Sequence, residues 1–143
     1  MVRFQIRNSR QSLLRGVLKM MIKIEAIVRP EKVNDVTTAL ESIGCGGFHF
    51  VNVTGQGQQR GVEVFTGRGA ALTHRSSLPK TLLVTVVPEE QKEEVLETII
   101  ASARSSEEGT VGDGKIFVSA IAEVIRVRTG ERDLAALTAS EDA

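Results

Sequence analysis

The stretch IKIEAIVRPEKVNDVTTALESIG, residues 22–44, contains the first two elements of the fold in immediate succession. Its first seven residues alternate as a strand with one buried face does. The residues on that face are Ile22, Ile24, Ala26 and Val28. Pro30 then stands where the first turn of a helix tolerates proline, and apolar residues at steps of three and four predict an amphipathic helix that ends at Gly44. Those apolar residues are Val33, Val36, Leu40 and Ile43.

The remaining elements are separated just as clearly. FHFVNV (48–53) and TLLVTVV (81–87) predict strands, and the second is apolar enough to be central in a sheet. EEQKEEVLETIIASA (89–103) predicts a second amphipathic helix with an acidic first turn, while KIFV (115–118) and EVIRVRT (123–129) predict further strand. The order β-α-β-β-α-β is that of an α+β, ferredoxin-like sandwich. Because two helices cover only one face of such a sheet, we expect further copies of the chain to bury part of the other face.

Composition excludes several classes of protein. The chain has 143 residues, enough for one domain, with 41% apolar and 25% charged residues. No window approaches the ~18 apolar residues of a membrane span, so we expect a soluble protein. Cys45 is the only cysteine and His49 and His74 are isolated, so we predict neither an internal disulfide nor a structural metal. Nucleic acid is a poor ligand, because 3% aromatic residues are too few for a stacking surface.

Both ends of the chain differ from its body. Residues 1–20 carry five of the 18 basic residues and none of the 18 acidic ones, so the body is net acidic. This composition fits a mis-called start before Met20 and Met21, a frayed extension, an organelle-targeting segment or a basic arm for nucleic acid or membrane. The end, LAALTASEDA (134–143), has no strong period, and we expect a loose tail, with residues 138–143 outside the domain.

Two glycine-rich segments indicate a binding site. GTVGDGK (109–115) begins like a P-loop, but isoleucine then replaces the hydroxyl residue that would hold Mg²⁺, and strand sequence follows instead of a helix. Glycines still let backbone amides approach an anion, and Lys115 adds a charge beside them. A strand in IRVRT would place Arg126 and Arg128 on one side, where both can bind phosphate. With a second cluster, TGQGQQRG (54–61), a nucleotide site is favoured over a glycine turn beside a solvated strand edge.

Several motifs in order resemble one family. IKIEAIVRPEKV, GQGQQRG, RGAAL, LPK, VVPEE and GDGKIFV followed by IRVRTGE resemble the PII signal-transduction family over residues 21–137. Members of that family are ferredoxin-like homotrimers that bind ATP or ADP in clefts between subunits. Many also bind 2-oxoglutarate beside Mg²⁺-ATP, and they dock a long T-loop on target proteins. The resemblance therefore implies a homotrimeric, cytoplasmic, non-catalytic regulator of nitrogen or carbon metabolism.

The resemblance also implies roles for individual residues, carried over by position. The T-loop would span about 57–79 and the phosphate-side B-loop about 104–115. The residues implied to bind nucleotide are Gly55, Gly57, Gly112, Asp113, Gly114, Lys115, Arg126 and Arg128. Those implied to hold Mg²⁺ and 2-oxoglutarate are Arg29, Gln59 and Lys80. Those implied to contact a partner are Arg60, Arg68 and Arg75. Arg68 matches a loop arginine that plugs ammonium channels in some relatives, so an ammonium transporter or another membrane transporter is a candidate target.

Some positions depart from the family. Leu72 stands where many relatives carry a tyrosine that is uridylylated, and the chain has no tyrosine, which excludes that modification. Gln58 replaces a phosphate-binding arginine, and the B-loop approach is longer and adds Glu107 and Glu108, which we expect to face solvent. A divergent module with a different effector and partner is therefore the alternative. A slow ATP-hydrolysing enzyme is less favoured, because few carboxylates near the glycine loop are available to hold metal.

Overall fold

The computed structural model describes residues 20–57, 62–66, 71–75 and 77–138, with 62–66 and 71–75 described as backbone. The strands are β1 (Met21–Val28), β2 (Phe48–Gly55), β3 (Val62–Thr66), β4 (Ala71–Arg75), β5 (Leu78–Pro88) and β6 (Gly114–Ile121). The helices are α1 (Val33–Ser42), α2 (Lys92–Ala103) and the short α3 (Leu134–Leu137). Single 3₁₀ turns, Pro30–Lys32 and Glu89–Gln91, lead into α1 and α2. The basic extension at residues 1–19 lies outside the described residues.

Four strands form one antiparallel sheet in the order β2-β5-β1-β6. The predicted central position of TLLVTVV is confirmed, since β5 pairs with both β1 and β2. In the register, Ala26 lies opposite Leu83 on one side and Ile116 on the other. Together with the two helices, this sheet confirms the ferredoxin-like α+β architecture.

The core lies between the sheet and the two long helices. The residues predicted for the inner face of β1, namely Ile22, Ile24, Ala26 and Val28, are all buried. Val36 and Leu40 of α1 and Val95 and Ile99 of α2 pack in the same apolar cluster. α1 begins and ends close to the predicted positions, because Pro30 occupies its entry turn and Gly44, with φ of 80°, follows its last turn.

Both long helices pack on the core face of the sheet, and neither of them covers the other face. Because side chains alternate across a strand, every second residue of each strand has its side chain on this face and not in the core. Val51 and Phe117 lie on it and are 52% and 48% exposed. Large apolar side chains left in water on one face are the physical basis for expecting association.

The segment after β6 differs from the sequence-based expectation. EVIRVRT was expected to be a strand, and this is wrong: only an isolated bridge joins Ile125 to Arg132. The backbone turns there instead, with the Gly130 amide donating to the Arg126 carbonyl at 2.8 Å and Gly130 at φ of 71°.

The T-loop range contains a two-stranded ribbon, in which Val62 lies opposite Arg75. The tail expected to be loose begins with the helical turn α3, and residues 139–143 lie outside the described part of the chain. In the described residues, no helix is both long and apolar enough to span a bilayer.

Candidate functional site

A cleft of about 590 Å³ opens at one end of the four-stranded sheet. At this end β1 finishes beside the start of β6, since Val28 lies opposite Gly114. The start of β5 meets the end of β2 there as well, because Leu78 lies opposite Gly55. The residues that line the cleft are Ile27, Gly55, Gln56, Gly57, Leu78, Lys80, Thr110, Val111, Gly112, Asp113, Gly114, Lys115 and Phe117.

Both glycine segments singled out in the sequence therefore border the same cleft. Gly114 is required at the entry to β6, because a Cβ there would lie 1.7 Å from the carbonyl oxygen of Ile27. Its φ of 122° and the φ of 99° at Gly112 are also conformations that side chains rarely adopt. The loop backbone is thus held against β1, and the loop residues border the cleft.

Asp113 is the centre of the hydrogen bonds within the loop. Its Oδ1 accepts from Arg29 Nε at 3.0 Å and from Ser105 Oγ at 2.7 Å. Its Oδ2 accepts from the backbone amides of Thr110 at 2.7 Å and Ser105 at 3.3 Å. Burial raises the pKa of Asp113, but the hydrogen bonds from Ser105, Thr110 and Arg29 outweigh it and hold the pKa well below the usual range.

Two cations from the sheet hold the same loop by its carbonyl groups. Arg29 donates from Nη2 to the Val111 carbonyl at 3.0 Å while its Nε is bonded to Asp113. Lys80 donates from Nζ to the Gly112 carbonyl at 2.6 Å. Burial and the nearby Arg29 lower the pKa of Lys80. A loop held at three successive residues is preorganised, and Lys80 and Lys115 line the cleft beside it.

Arg126 and Arg128 do not line this cleft in a single chain. The expectation that they share one side of a strand is wrong, because no strand forms there. Arg126 instead pairs with Glu131 and donates to the carbonyl groups of Ala136, at 3.2 Å, and Thr138, which ties the turn after β6 to α3. Arg128 is exposed.

The residues implied to hold the effector or contact a partner include four in the segment 57–79. Gln59, Arg60 and Arg68 lie outside the described residues, and Arg75 is described only as backbone in β4. Glu107 and Glu108 are exposed, as expected. Across the described ranges, no group of three or more His, Cys, Asp or Glu is arranged to hold a metal ion.

Sequence reasoning missed the residues that organise the loop. Ser105 and Thr110 were not singled out, although both bond to Asp113. Their signal was the hydroxyl-rich approach RSSEEGT, since an Asp side chain commonly accepts hydrogen bonds from backbone amides and hydroxyls close to it in the chain. Gln56 and Phe117 also line the cleft and carried no signal of their own.

Comparisons with known proteins agree with this architecture. The family model described as "Nitrogen regulatory protein P-II" matches residues 21–131. "Nitrogen regulatory protein P-II 2" of Methanothermobacter thermautotrophicus is 46% identical over 112 residues, covering 78% of this chain and 92% of that protein. "Nitrogen regulatory protein P-II 1" of Escherichia coli K12 is 42% identical over 118 residues, covering 82% and 100%.

A solved structure is also similar. Arabidopsis thaliana PII bound to citrate superposes with a TM-score of 0.65 at 38% identity, covering 82% of this chain and 92% of that one. The family match extends from the first residue of β1 past Arg126 and Arg128 and so includes every strand of the sheet and the whole cleft. On the strength of the fold, the cleft and these matches, the chain belongs to the P-II family of nitrogen regulatory proteins.

Proposed function

We propose that this protein is a non-catalytic regulator that binds ATP or ADP in the cleft and changes its affinity for a target protein according to the nucleotide bound. The observation that carries the proposal is that Gly55 and Gly57 of one loop and Gly112, Gly114 and Lys115 of the other border a single cleft. Backbone amides next to glycines, together with a lysine, are suited to the phosphates of a nucleotide.

The active assembly in this proposal is a homotrimer with the cleft at the junction between subunits. The exposed apolar face of the sheet supports association. Arg126 and Arg128 lie outside the cleft of their own chain, so a role at the phosphates requires that they reach the cleft of a neighbouring subunit. Cyclic symmetry would then create identical sites at every junction.

A carboxylate effector fits the same cleft. Arg29 and Lys80 both bond to the loop. Burial lowers the pKa of Lys80 and repulsion from Arg29 lowers it further, while Glu31 and Asp113 offset part of this effect. An anion between them would relieve that repulsion. The solved relative from Arabidopsis thaliana was bound to citrate, a polycarboxylate. We therefore propose 2-oxoglutarate, with Gln59 and Mg²⁺-ATP completing its site, as the second ligand.

The output is proposed to pass through residues 57–79, the T-loop, to a protein target in the cytoplasm. Arg60, Arg68 and Arg75 give this segment a basic bias that suits an acidic or carbonyl-lined surface. A transporter of ammonium, or another membrane transporter, is the first target to test. The nucleotide would act by changing the population of loop conformations.

Calorimetric titration tests this function directly. We expect ATP and ADP to bind the purified protein, and 2-oxoglutarate to bind only when Mg²⁺-ATP is present. Binding of nucleotide without any response to 2-oxoglutarate would indicate a module with another effector. Rapid, sustained loss of ATP in the cell of the calorimeter would indicate an enzyme instead. No binding of either nucleotide would refute the proposal.

A further inference from the structure

The loop between α2 and β6 is shaped by one carboxylate. Four hydrogen bonds reach Asp113, from the Ser105 hydroxyl, the Ser105 and Thr110 amides, and Arg29. Two of the donors are backbone groups from earlier in the same loop, and one is a guanidinium from the end of β1. The Asp113 side chain is only 16% exposed. Both carboxylate oxygens are therefore already occupied by the protein itself.

We propose that Asp113 is a positioning residue, which shapes the 104–115 loop for phosphate without contacting the nucleotide or a metal ion. This rests on the proposed function, in which the loop binds phosphate. The carboxylate closes the loop by drawing Ser105 and Thr110 toward the entry of β6. That closure sets the backbone of Val111 and Gly112, whose carbonyl groups Arg29 and Lys80 hold from the other side.

Charge explains why a direct role is less suitable. A carboxylate beside phosphate repels it, so an Asp113 that faced the nucleotide would weaken binding unless a metal ion lay between them. Both oxygens of Asp113 already accept two hydrogen bonds each from the protein, so the carboxylate is not turned toward a metal ion. The hydrogen bonds from Arg29 and the two loop amides instead offset the negative charge within the protein.

The matched pair of variants is Asp113→Asn and Glu108→Gln. Each removes one negative charge from the same loop and retains nearly the same shape, but Glu108 is exposed and takes part in no hydrogen bond or ion pair described above. In Asp113→Asn an NH₂ group replaces one of the two carboxylate oxygens. The donors that bond to that oxygen in wild type then face another donor, so the closure is lost. Ser105→Ala is a milder variant that removes only the hydroxyl bond.

The experiment measures ADP affinity by calorimetry with Mg²⁺ and with EDTA. We expect Asp113→Asn to weaken ADP binding at least tenfold and equally in both buffers, Ser105→Ala to weaken it less, and Glu108→Gln to leave it unchanged or slightly tighter. Tighter binding by Asp113→Asn would overturn the proposal, because it would show simple repulsion. Unchanged binding would also overturn it, because it would show that the carboxylate does not shape the loop for phosphate. A loss confined to the Mg²⁺ buffer would also overturn it, because it would show a metal ligand.

Amide hydrogen exchange of the unliganded proteins separates this inference from the proposed function. We expect the amides of Ser105 and Thr110 to exchange at least tenfold faster in Asp113→Asn than in wild type or Glu108→Gln, with the amides of β1 and β5 unchanged. This result stands even if wild type fails to bind ADP, in which case only the proposed function is lost. Unchanged exchange at both amides, or global loss of protection in Asp113→Asn, would overturn the positioning role.

Discussion

At the scale of single residues, Gly114 leaves no room for a side chain beside the backbone of β1. A Cβ at position 114 would lie 1.7 Å from the Ile27 carbonyl oxygen and 2.8 Å from its carbon, neither of which belongs to a mobile side chain. We expect Gly114→Ala to lower the free energy of unfolding by more than about 3 kcal/mol, since the φ strain adds to a forced separation of β1 and β6. Denaturant unfolding at one fixed protein concentration measures this.

Gly130 provides the matched control for that prediction. It also has a positive φ, 71°, but no heavy atom lies within 4 Å of an added Cβ. Gly130→Ala should therefore cost only the conformational strain, about 1–2 kcal/mol. Failure of Gly114→Ala to fold while Gly130→Ala folds counts as the expected result. Equal costs at the two positions would show that the close approach to Ile27 does not matter.

Asp113 also makes the stability of the folded chain depend on pH. The folded-state pKa of Asp113 is lowered, so the ionised carboxylate stabilises the folded chain above its unfolded pKa of about 3.9. That contribution is lost as the pH falls from about 5 through the lowered folded pKa. The difference in unfolding free energy between wild type and Asp113→Asn should thus be constant near neutral pH and shrink below about pH 4. Urea unfolding at pH 7, 5, 4 and 3 measures it, and a difference that stays constant to pH 3 would contradict the prediction.

At the scale of elements, adjacent isoleucines of α2 test which face of the helix meets the sheet. Ile99 is 1% exposed and Ile100 is 42% exposed. We expect Ile99→Ala to cost about 2–5 kcal/mol, because it leaves a cavity in the core. Ile100→Ala should cost about 1 kcal/mol or less. Thermal and urea unfolding of the two variants measures the contrast, and a reversed order would mean that the helix is rotated about its axis.

The periodic elements were predictable and the turn after β6 was not. β1, α1, β5 and α2 each have a run of apolar residues with one period, and burial follows that period closely. EVIRVRT has the alternation of a strand, yet Val127 is 99% exposed and local hydrogen bonds around Gly130 bend the chain instead. Alternation alone does not supply a partner strand, and this segment pairs with no strand of the described sheet.

In the site, likewise, features set by neighbouring residues were predictable from the sequence, and contacts between residues far apart in the chain were not. Glycine spacing indicated the turn that leads into β6, because the positive φ values of Gly112 and of Gly114, the first residue of β6, are a local requirement. The bonds from Arg29 and Lys80 to the loop join residues 82 and 32 positions apart, and no periodic signal encodes them. The resemblance to a family supplied those two residues with a role as effector ligands, and the structure adds that both already hold the loop.

At the scale of the whole molecule, two features raise the question whether each nucleotide site is formed by two subunits. One is the exposed sheet face, and the other is that Arg128 does not line the cleft of its own chain. Lys115 lines the cleft of its own chain, whereas Arg128 does not. If both bind one nucleotide, they come from different subunits. Lys115→Ala and Arg128→Ala should each weaken ADP binding in a pure assembly, by about 1.5–3 kcal/mol if a charged hydrogen bond is lost.

Mixing the two variants distinguishes a shared site from a site within one chain. In a trimer assembled at random from equal amounts of Lys115→Ala and Arg128→Ala chains, about one quarter of the junctions combine two intact sides. We expect co-expressed, differently tagged chains to regain wild-type ADP affinity at that fraction of sites in calorimetry. A mixture of Lys115→Ala and Asp113→Asn chains, whose changes lie in one loop, should regain none. The contrary outcome is that the first mixture also regains none although mixed trimers are verified by mass. In that case both side chains belong to one chain's site or Arg128 does not reach the nucleotide. Either result means that the proposed junction is wrong.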